Sequence, residues 1–466
     1  MSNLNDFIIE DGVLKRYTGG DTEITIPANV TEVGNYAFRD CNVSKLIIPD
    51  TVKYFDAQSI YGCKALEFNI YDNALYLGNE KNPFRFLVGI VDWKSPSCKI
   101  HECAERICNF AFNRCTPLLR VTGGESLIAI DACAFELCEN LTDINLSDSI
   151  CSIRHNAFQG CKSLKEFKFP KSLTHIGSYA FINVPIKHIN IPASVTEIED
   201  GAFRDCSEVE SVSVDPNNKT YHSNGDCLIH TNDRKLIFGC QSSIIPSDGS
   251  VIAIGDRAFY GCKNMKSITV PDTVTNIGEC AFADCSELES IYLPEKITSI
   301  GWGSFWACAK LQSIVLPKSL TKIEHHLFDE DTAIESVTMF DSVSEIEMCA
   351  FRGCKSLKNI NLSNNIKVLP TDCFSGCVSL ENIVIPSSVT RIGDHAFGRC
   401  QSLADVVIPR ATTYIDKSAF YGANAKSIVV ESGNAEYHSS ENCLIKTSFK
   451  ELILVAIVVK FPRMVL

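Results

Sequence analysis

The sequence predicts a mainly β repeat solenoid, and three observations predict it. One unit, AFxxCxxLxSIxxP, is written twice between residues 258 and 294, with Phe259 and Phe282 23 residues apart and Cys262 and Cys285 likewise. The Phe position recurs at that step without exception from Phe259 to Phe420, and again from Phe112 to Phe181. No window carries a sustained amphipathic helix, whereas each unit holds short alternating apolar stretches of the strand type.

A period between about 20 and 29 with leucine-type spacing is that of leucine-rich repeats, which grow by stacking and not by splitting into domains. The 466 residues therefore read as one elongated domain, 1–466, with a parallel concave sheet and irregular convex turns. The rung position is occupied in turn by Phe38, Ile60, Phe112, Phe135, Phe158, Phe181, Phe203, Phe259, Phe282, Phe305, Phe328, Phe351, Phe374, Phe397 and Phe420. Within a unit such as CKSLKEFKFP, Leu164, Phe167 and Phe169 follow LxxLxL, and the last two alternate as a short strand would. Pro170 ends that strand because proline cannot donate to a ladder; Pro271 and Pro294 do the same in their units. A segment such as SLTHIG or TVTNIG follows, its Leu173/Ile176 or Val274/Ile277 pointing inward. Stacked coils lie one strand spacing apart, ~4.8 Å. The phenylalanines should then form a continuous internal ladder.

Two longer gaps, Ile60 to Phe112 and Phe203 to Phe259, carry insertions at 71–100 and 215–246. YHSNGDCLIHTNDRKLI, beginning at Tyr221, matches YHSSENCLIKTSFKELI, beginning at Tyr437, so 431–466 reads as a C-terminal copy of the insertion or a cap. FIIEDGVLKRYTGG, beginning at Phe7, resembles the second half of the same element and makes 1–26 an N-terminal capping hairpin. Alternating apolar residues around Asn, Asp and Gly predict β-hairpins in all of them.

Net charge is −13 with no clustered Lys/Arg, which argues against a nucleic-acid or anionic-membrane surface. The apolar run 452–459 is too short for the ~20 residues of a membrane-spanning helix. A cysteine three residues after the rung recurs in 12 of the 15 units and becomes Val184, Asp331 and Ala423 in the other three. Val and Ala as replacements identify a packing position, where a free thiol behaves as a small hydrophobe. Stacked cysteines would present parallel Cβ vectors, a poor geometry for bridging, so a buried thiol ladder is expected. Free thiols and the absence of a secretory signal at the N-terminus point to the cytoplasm.

IPSSVTRIGDHAFGRC, beginning at Ile385, resembles the BspA-like leucine-rich repeat unit IPxSVTxIGxxAFxxCxSLxxIxIP almost letter for letter, and the likeness runs from about Phe7 to Leu454. NALYLGNEKNP, beginning at Asn73, resembles an insert of gut-bacterial members. The resemblance implies a non-catalytic binding scaffold that engages a protein or surface-glycan partner. It also implies an alternative, a cell-surface adhesin or antigen-like structural protein that is on the cell surface or secreted.

In this fold the residues flanking the inward strand positions project onto the concave sheet. The candidate ligand-binding face is Ser267, Thr269, Ser290, Tyr292, Ser313, Val315, Ser336, Thr338, Asn359, Asn361 and Asn382. The same row runs on through Val384, Asp405/Val407 and Ser427/Val429, and upstream through Asp143/Asn145, Glu166/Lys168, His188/Asn190 and Ser211/Ser213. Small polar residues dominate it and would equally serve only to solvate an exposed sheet. Trp302 and Trp306 lie on the turn side and are expected to pack.

For metal, the best candidate is Cys98-x2-His101-x-Cys103-x4-Cys108, a remote zinc alternative, since zinc takes four N/S ligands. The spacings lack a paired C-x2-C, and Cys108 precedes a rung, so no metal or cofactor is assigned. The adjacent His325-His326 are expected to face opposite sides. No G-x-S-x-G, P-loop, G-x-G-x-x-G or H-E-x-x-H occurs, the periodic cysteines single out no nucleophile, and Asp329-Glu330-Asp331 reads as a solvated turn. The chain is read as a non-enzyme.

Overall fold

The computed structural model describes residues 3–455, which divide into two compact units between His222 and Ser223. The last residues of the 431–466 segment and of the apolar run 452–459 lie outside the described residues. The architecture is the β-solenoid that the repeat predicts, with two short 3-10 turns, Leu4–Asp6 and Ala57–Ile60, as its helical content among the described residues.

Each coil contributes two short strands to two parallel sheets. The first sheet collects the LxxLxL segments and the second the VTxIG segments. In the N-terminal unit the second sheet runs in order through Phe86–Ile90, Arg106–Ile107, Ala129–Ile130, Ser152–Ile153, His175–Ile176 and Glu197–Ile198, each parallel to the next. The first sheet pairs Ser97–Ile100, Arg120–Gly123 and Asp143–Leu146, and separately His188–Ile191 with Ser211–Val214. In the C-terminal unit it pairs Ser267–Thr269 with Ser290–Tyr292, and Ser313–Val315 through Ser336–Thr338 and Asn359–Ile360 to Asn382–Ile383.

The segment 164–169 departs from this pattern. Phe167 and Phe169 do point inward, but the segment forms no strand. Most other coils carry the aliphatic Ile, Val or Leu there; these two rings instead wedge edge-on against Phe158 and Phe181, with centroids 5.1 and 4.9 Å away for Phe167. Ring volume displaces the backbone from the ladder.

The insertions are antiparallel. Phe7–Glu10 and Val13–Tyr17 turn through Asp11 and Gly12, both at positive φ as a tight hairpin requires. Asn69–Tyr71, Ala74–Leu77 and Phe86–Ile90 form a meander, Cys227–His230 pairs with Lys235–Gly239, and Tyr437–Ser440, Cys443–Lys446 and Glu451–Val455 form a second meander. The hairpin and the two internal insertions end on a strand that joins the second sheet in parallel with the coil that follows.

The rung turns carry the core. Phe259, Phe282, Phe305, Phe328, Phe351, Phe374, Phe397 and Phe420 stack face to face at 5.2–5.8 Å. Phe112 to Phe203 stack in the same way at 4.8–5.6 Å in the N-terminal unit. Two residues before and two after each rung are mostly left-handed: Arg257 and Gly261 around Phe259, Cys133 and Leu137 around Phe135. A non-glycine residue there costs roughly 1–2 kcal/mol. The backbone so bent turns three amides toward the next coil, as when Arg257, Phe259 and Gly261 donate to the carbonyls of Glu279, Ala281 and Ala283 at 2.8–2.9 Å. These bonds offset the strain.

This ladder leaves the rung carbonyl itself unused. It accepts the amide of the cysteine three residues on and, from the following coil, that coil's cysteine thiol: Cys285 Sγ to Phe259 O at 3.2 Å, Cys138 Sγ to Phe112 O at 3.0 Å. All 23 cysteines are free. Two residues occupy rung slots that the Phe pattern misses. Tyr17 N–H donates to Ala37 O as a rung does, and its ring packs 5.8 Å from Phe38. Gly239 N–H likewise donates to Ala258 O, and a Cβ there would meet the Phe259 ring at 2.1 Å, so only glycine fits.

Candidate functional site

Strand alternation exposes every second side chain of the first sheet. Register aligns the exposed ones: Ser267 opposite Ser290, Thr269 opposite Tyr292, Ser313 opposite Ser336, Val315 opposite Thr338, Asn359 opposite Asn382. All eleven residues of the candidate face are exposed, with Asn361 just beyond its strand. Tyr292 is 55% exposed and Val384 77%. The structure brings them into two files over two groups of paired strands, Ser267–Thr269 with Ser290–Tyr292 and Ser313–Val315 through Asn382–Ile383, and a hydrogen bond from Asn382 Nδ2 to Asn359 Oδ1 at 3.0 Å ties neighbours within a file.

The second file turns apolar downstream. Val384, Val407 and Val429 are all exposed, and Val407 lies opposite Val429 in the paired strands Leu403–Ile408 and Ala425–Val430. Tyr292, Val315 and this trio are the apolar part of an otherwise hydroxyl- and amide-lined face. In the N-terminal unit the same row is polar and internally bonded: His188 Nδ1 with Ser211 Oγ at 2.9 Å, and Ser213 Oγ to Asn190 Oδ1 at 2.6 Å. Glu166 and Lys168 are exposed but sit on no strand.

Three other expectations change. Trp302 and Trp306 do not pack fully: each is 37% exposed, because they stand three before and one after the rung, in the outer layer of the turn row. Asp329-Glu330-Asp331 is no solvated turn. Asp331 takes the inward position three residues after Phe328, and Asp329 is covered by its own ion-pair partners; both are buried, and only Glu330 is exposed. Asp329 is compensated by Arg352, which donates through two nitrogens at 2.9 and 2.7 Å, and by His326 at 2.7 Å. Asp331 has only the Cys308 amide on Oδ1, at 2.6 Å, while its Oδ2 is buried with no partner. Burial pushes its carboxyl well above the usual range.

The zinc set is not assembled. His101 spends Nδ1 on the Cys103 amide and stacks on Phe84 at 3.9 Å, while Cys98 and Cys108 are buried and Cys103 exposed. Among the described residues, the His, Cys, Asp and Glu group with three ligand atoms within 4.8 Å of one another is a different one, His175, Glu197 and Glu199. Sequence spacing missed it because the three come from adjacent coils. His175 Nε2 lies 2.8 Å from Glu199 Oε1, within hydrogen-bond distance. The adjacent His325 and His326 separate, toward Glu347 and Asp329.

The thiols are poor nucleophiles. Burial pushes Cys206 and Cys227 up to about 12, and Cys285, Cys308 and Cys354 upward as well.

A profile of the BspA type leucine-rich repeat region, six copies long, matches residues 9–82, 93–210, 237–344 and 321–446. Among solved structures, a leucine-rich repeat protein from Eubacterium ventriosum is 23% identical with a TM-score of 0.61, covering 76% of this chain and 94% of that one. A leucine rich cell surface protein from Faecalibacterium prausnitzii is 26% identical with a TM-score of 0.51, covering 82% and 91%. A leucine-rich repeat protein from Bacteroides ovatus is 24% identical with a TM-score of 0.52, covering 79% and 93%. No curated protein matches. Among the described residues no helix is long and apolar enough to cross a membrane. The profile spans most of the length and its repeats coincide with the coils, so the chain belongs to the BspA-type leucine-rich repeat family.

Proposed function

We propose that the chain is a non-catalytic binding scaffold whose first sheet in the C-terminal unit engages a protein, or a surface glycan, across several coils. The observation that carries this reading is the exposed row from Ser267 to Asn382, in register within each of its two groups of paired strands, with Tyr292 and Val315 at its centre and Val384, Val407 and Val429 beyond. Tyrosine is favoured at binding hot spots, and the row is otherwise poor in hot-spot residues, so affinity is spread over many weak contacts. Thiols pushed up by burial, as at Cys206 and Cys285, and a buried Asp329 committed to Arg352 support a role without chemistry.

The second reading, a cell-surface adhesin or antigen-like protein, is supported by the name of the Faecalibacterium prausnitzii relative as a cell surface protein. For compartment, the thiol-to-carbonyl ladder supports a reducing one, because each bond needs a protonated thiol.

The test is a pull-down with the intact chain beside a Tyr292→Ala/Ser313→Arg variant of equal thermal stability. Loss of a partner from the variant alone is expected. A partner retained equally by both sinks the first sheet as the binding face.

A further inference from the structure

The N-terminal unit carries a cleft of about 860 Å³ that no strand of the first sheet lines. Its volume lies within the ~300–1,000 Å³ of small-ligand sites. One wall is the hairpin strand Val13–Tyr17 with its Thr18–Gly20 continuation; the other is the first rung turn, from Asn35 to Asn42.

The charge of this cleft opposes that of the chain. Lys15, Arg16 and Arg39 line it against a single carboxylate, Asp40, in a protein whose net charge is −13. Among the described residues Lys15 and Arg16 form no ion pair, and Arg39 has only an exposed contact with Asp40 at 3.4 Å. Such an exposed pair is worth little, so the guanidinium is available to a better acceptor.

Arg39 is also held in place. Its guanidinium lies 5.2 Å from the Tyr36 ring and 5.9 Å from that of Tyr61, and the two rings meet edge to face at 6.1 Å. Both tyrosines are exposed. Asn35 and Asn42 add exposed amides that make no side-chain hydrogen bond among the described residues. Cations, one of them held between two rings, neutral hydrogen-bonding amides and an exposed aromatic face form the set that an anionic sugar uses. Its sulfate or carboxylate groups meet the Arg and Lys, its hydroxyls the Asn, and its C–H face the Tyr ring. An acidic peptide would use the cations but has no comparable need for the ring and the neutral amides.

We infer that the cleft bounded by Lys15, Arg16, Tyr36 and Arg39 is a binding site for a sulfated saccharide. The site is independent of the first sheet and of the partner proposed for it.

Cys41 supplies a local reporter, since it lines the cleft. Burial pushes its thiol up and the charge of Arg16, another lining residue, pulls it partly back. The probe is a fluorescent heparin-derived hexasaccharide titrated into the full chain. Its desulfated counterpart and a poly-glutamate peptide are titrated in parallel, with peptide mapping of Cys41 alkylation as second readout. The sulfated sugar should bind, bind more weakly as salt rises, and slow Cys41 alkylation. Arg16→Ala/Arg39→Ala should lose roughly tenfold or more in affinity, the scale of a charge-assisted hydrogen bond. Lys15→Ala alters an exposed side chain that pairs with nothing among the described residues, cannot perturb the fold appreciably, and should lose several-fold. Unchanged affinity in both variants, equal binding of the desulfated sugar, no protection of Cys41, or tighter binding of poly-glutamate would each overturn the assignment.

Discussion

The Cys285 thiol donates to the Phe259 carbonyl oxygen at 3.2 Å, one coil upstream, and the same bond recurs wherever a cysteine follows a rung in mid-stack: Cys161 to Phe135, Cys308 to Phe282, Cys377 to Phe351, Cys400 to Phe374. The cysteine is thus more than a small hydrophobe. It supplies the second donor that a buried carbonyl with two lone pairs can take. Valine matches its volume but not its bond.

Replacing Cys285 by alanine therefore removes both packing and a hydrogen bond in one coil. We expect a loss of about 1–2 kcal/mol in urea unfolding, with the rest of the ladder intact. Cys285→Val should recover the packing share only. If alanine and valine variants both unfold at the parent's midpoint, the thiol bond contributes nothing.

The edges of the second sheet are closed by tyrosines. In the N-terminal unit the sheet ends on Glu197–Ile198, and the Ile198 amide donates to the hydroxyl of Tyr221 at 2.9 Å. In the C-terminal unit Tyr414–Ile415 is the last strand of its sheet, and the Ile415 amide donates to the hydroxyl of Tyr437 at 2.8 Å. A coil strand in mid-stack would pair here with the next coil; the insertion substitutes a phenol oxygen for it. Tyr437→Phe keeps the ring and strips the acceptor, leaving a buried amide unpaired. The expected cost is about 1–3 kcal/mol, together with faster hydrogen exchange at Ile415. Unaltered exchange at Ile415 in the phenylalanine variant would show that the hydroxyl is not what protects it.

How much of this was legible follows from what repeats. The rungs, the thiol positions, the exposed row and the antiparallel insertions all recur or alternate, so spacing alone located them. The matched Tyr221 and Tyr437 announced a shared element but not its role, because a phenol accepting a backbone amide leaves no periodic mark. Gly239 and Tyr17 fill rung slots without a phenylalanine and were invisible to a search for one. His175, Glu197 and Glu199 meet only because parallel register sets one coil beside the next. The acidic triplet misled for a related reason: composition says solvent, but its place within three residues of a rung says interior.

That triplet gives the sharpest prediction. At the position of Asp331 twelve of the other coils bring a thiol donor, whereas Asp331 brings a carboxyl whose Oδ2 has no partner and whose pKa burial raises well above the usual range. A folded pKa above the unfolded one means that the unfolded state releases the proton first. Stability is then full below the ordinary aspartate range, near pH 4, and falls as pH rises toward the folded pKa. Asp331→Cys restores the ladder chemistry and removes this titration. Urea midpoints for parent and variant should lie close together at pH 4 and separate as pH rises to 7.5, the variant the more stable by roughly 1.4 kcal/mol for each unit by which the parent carboxyl is raised. Asp331→Asn, which cannot ionise, should show the same flattening with pH. A gap that stays constant from pH 4 to 7.5, or that closes as pH rises, would mean that Asp331 does not enter the fold as the neutral acid.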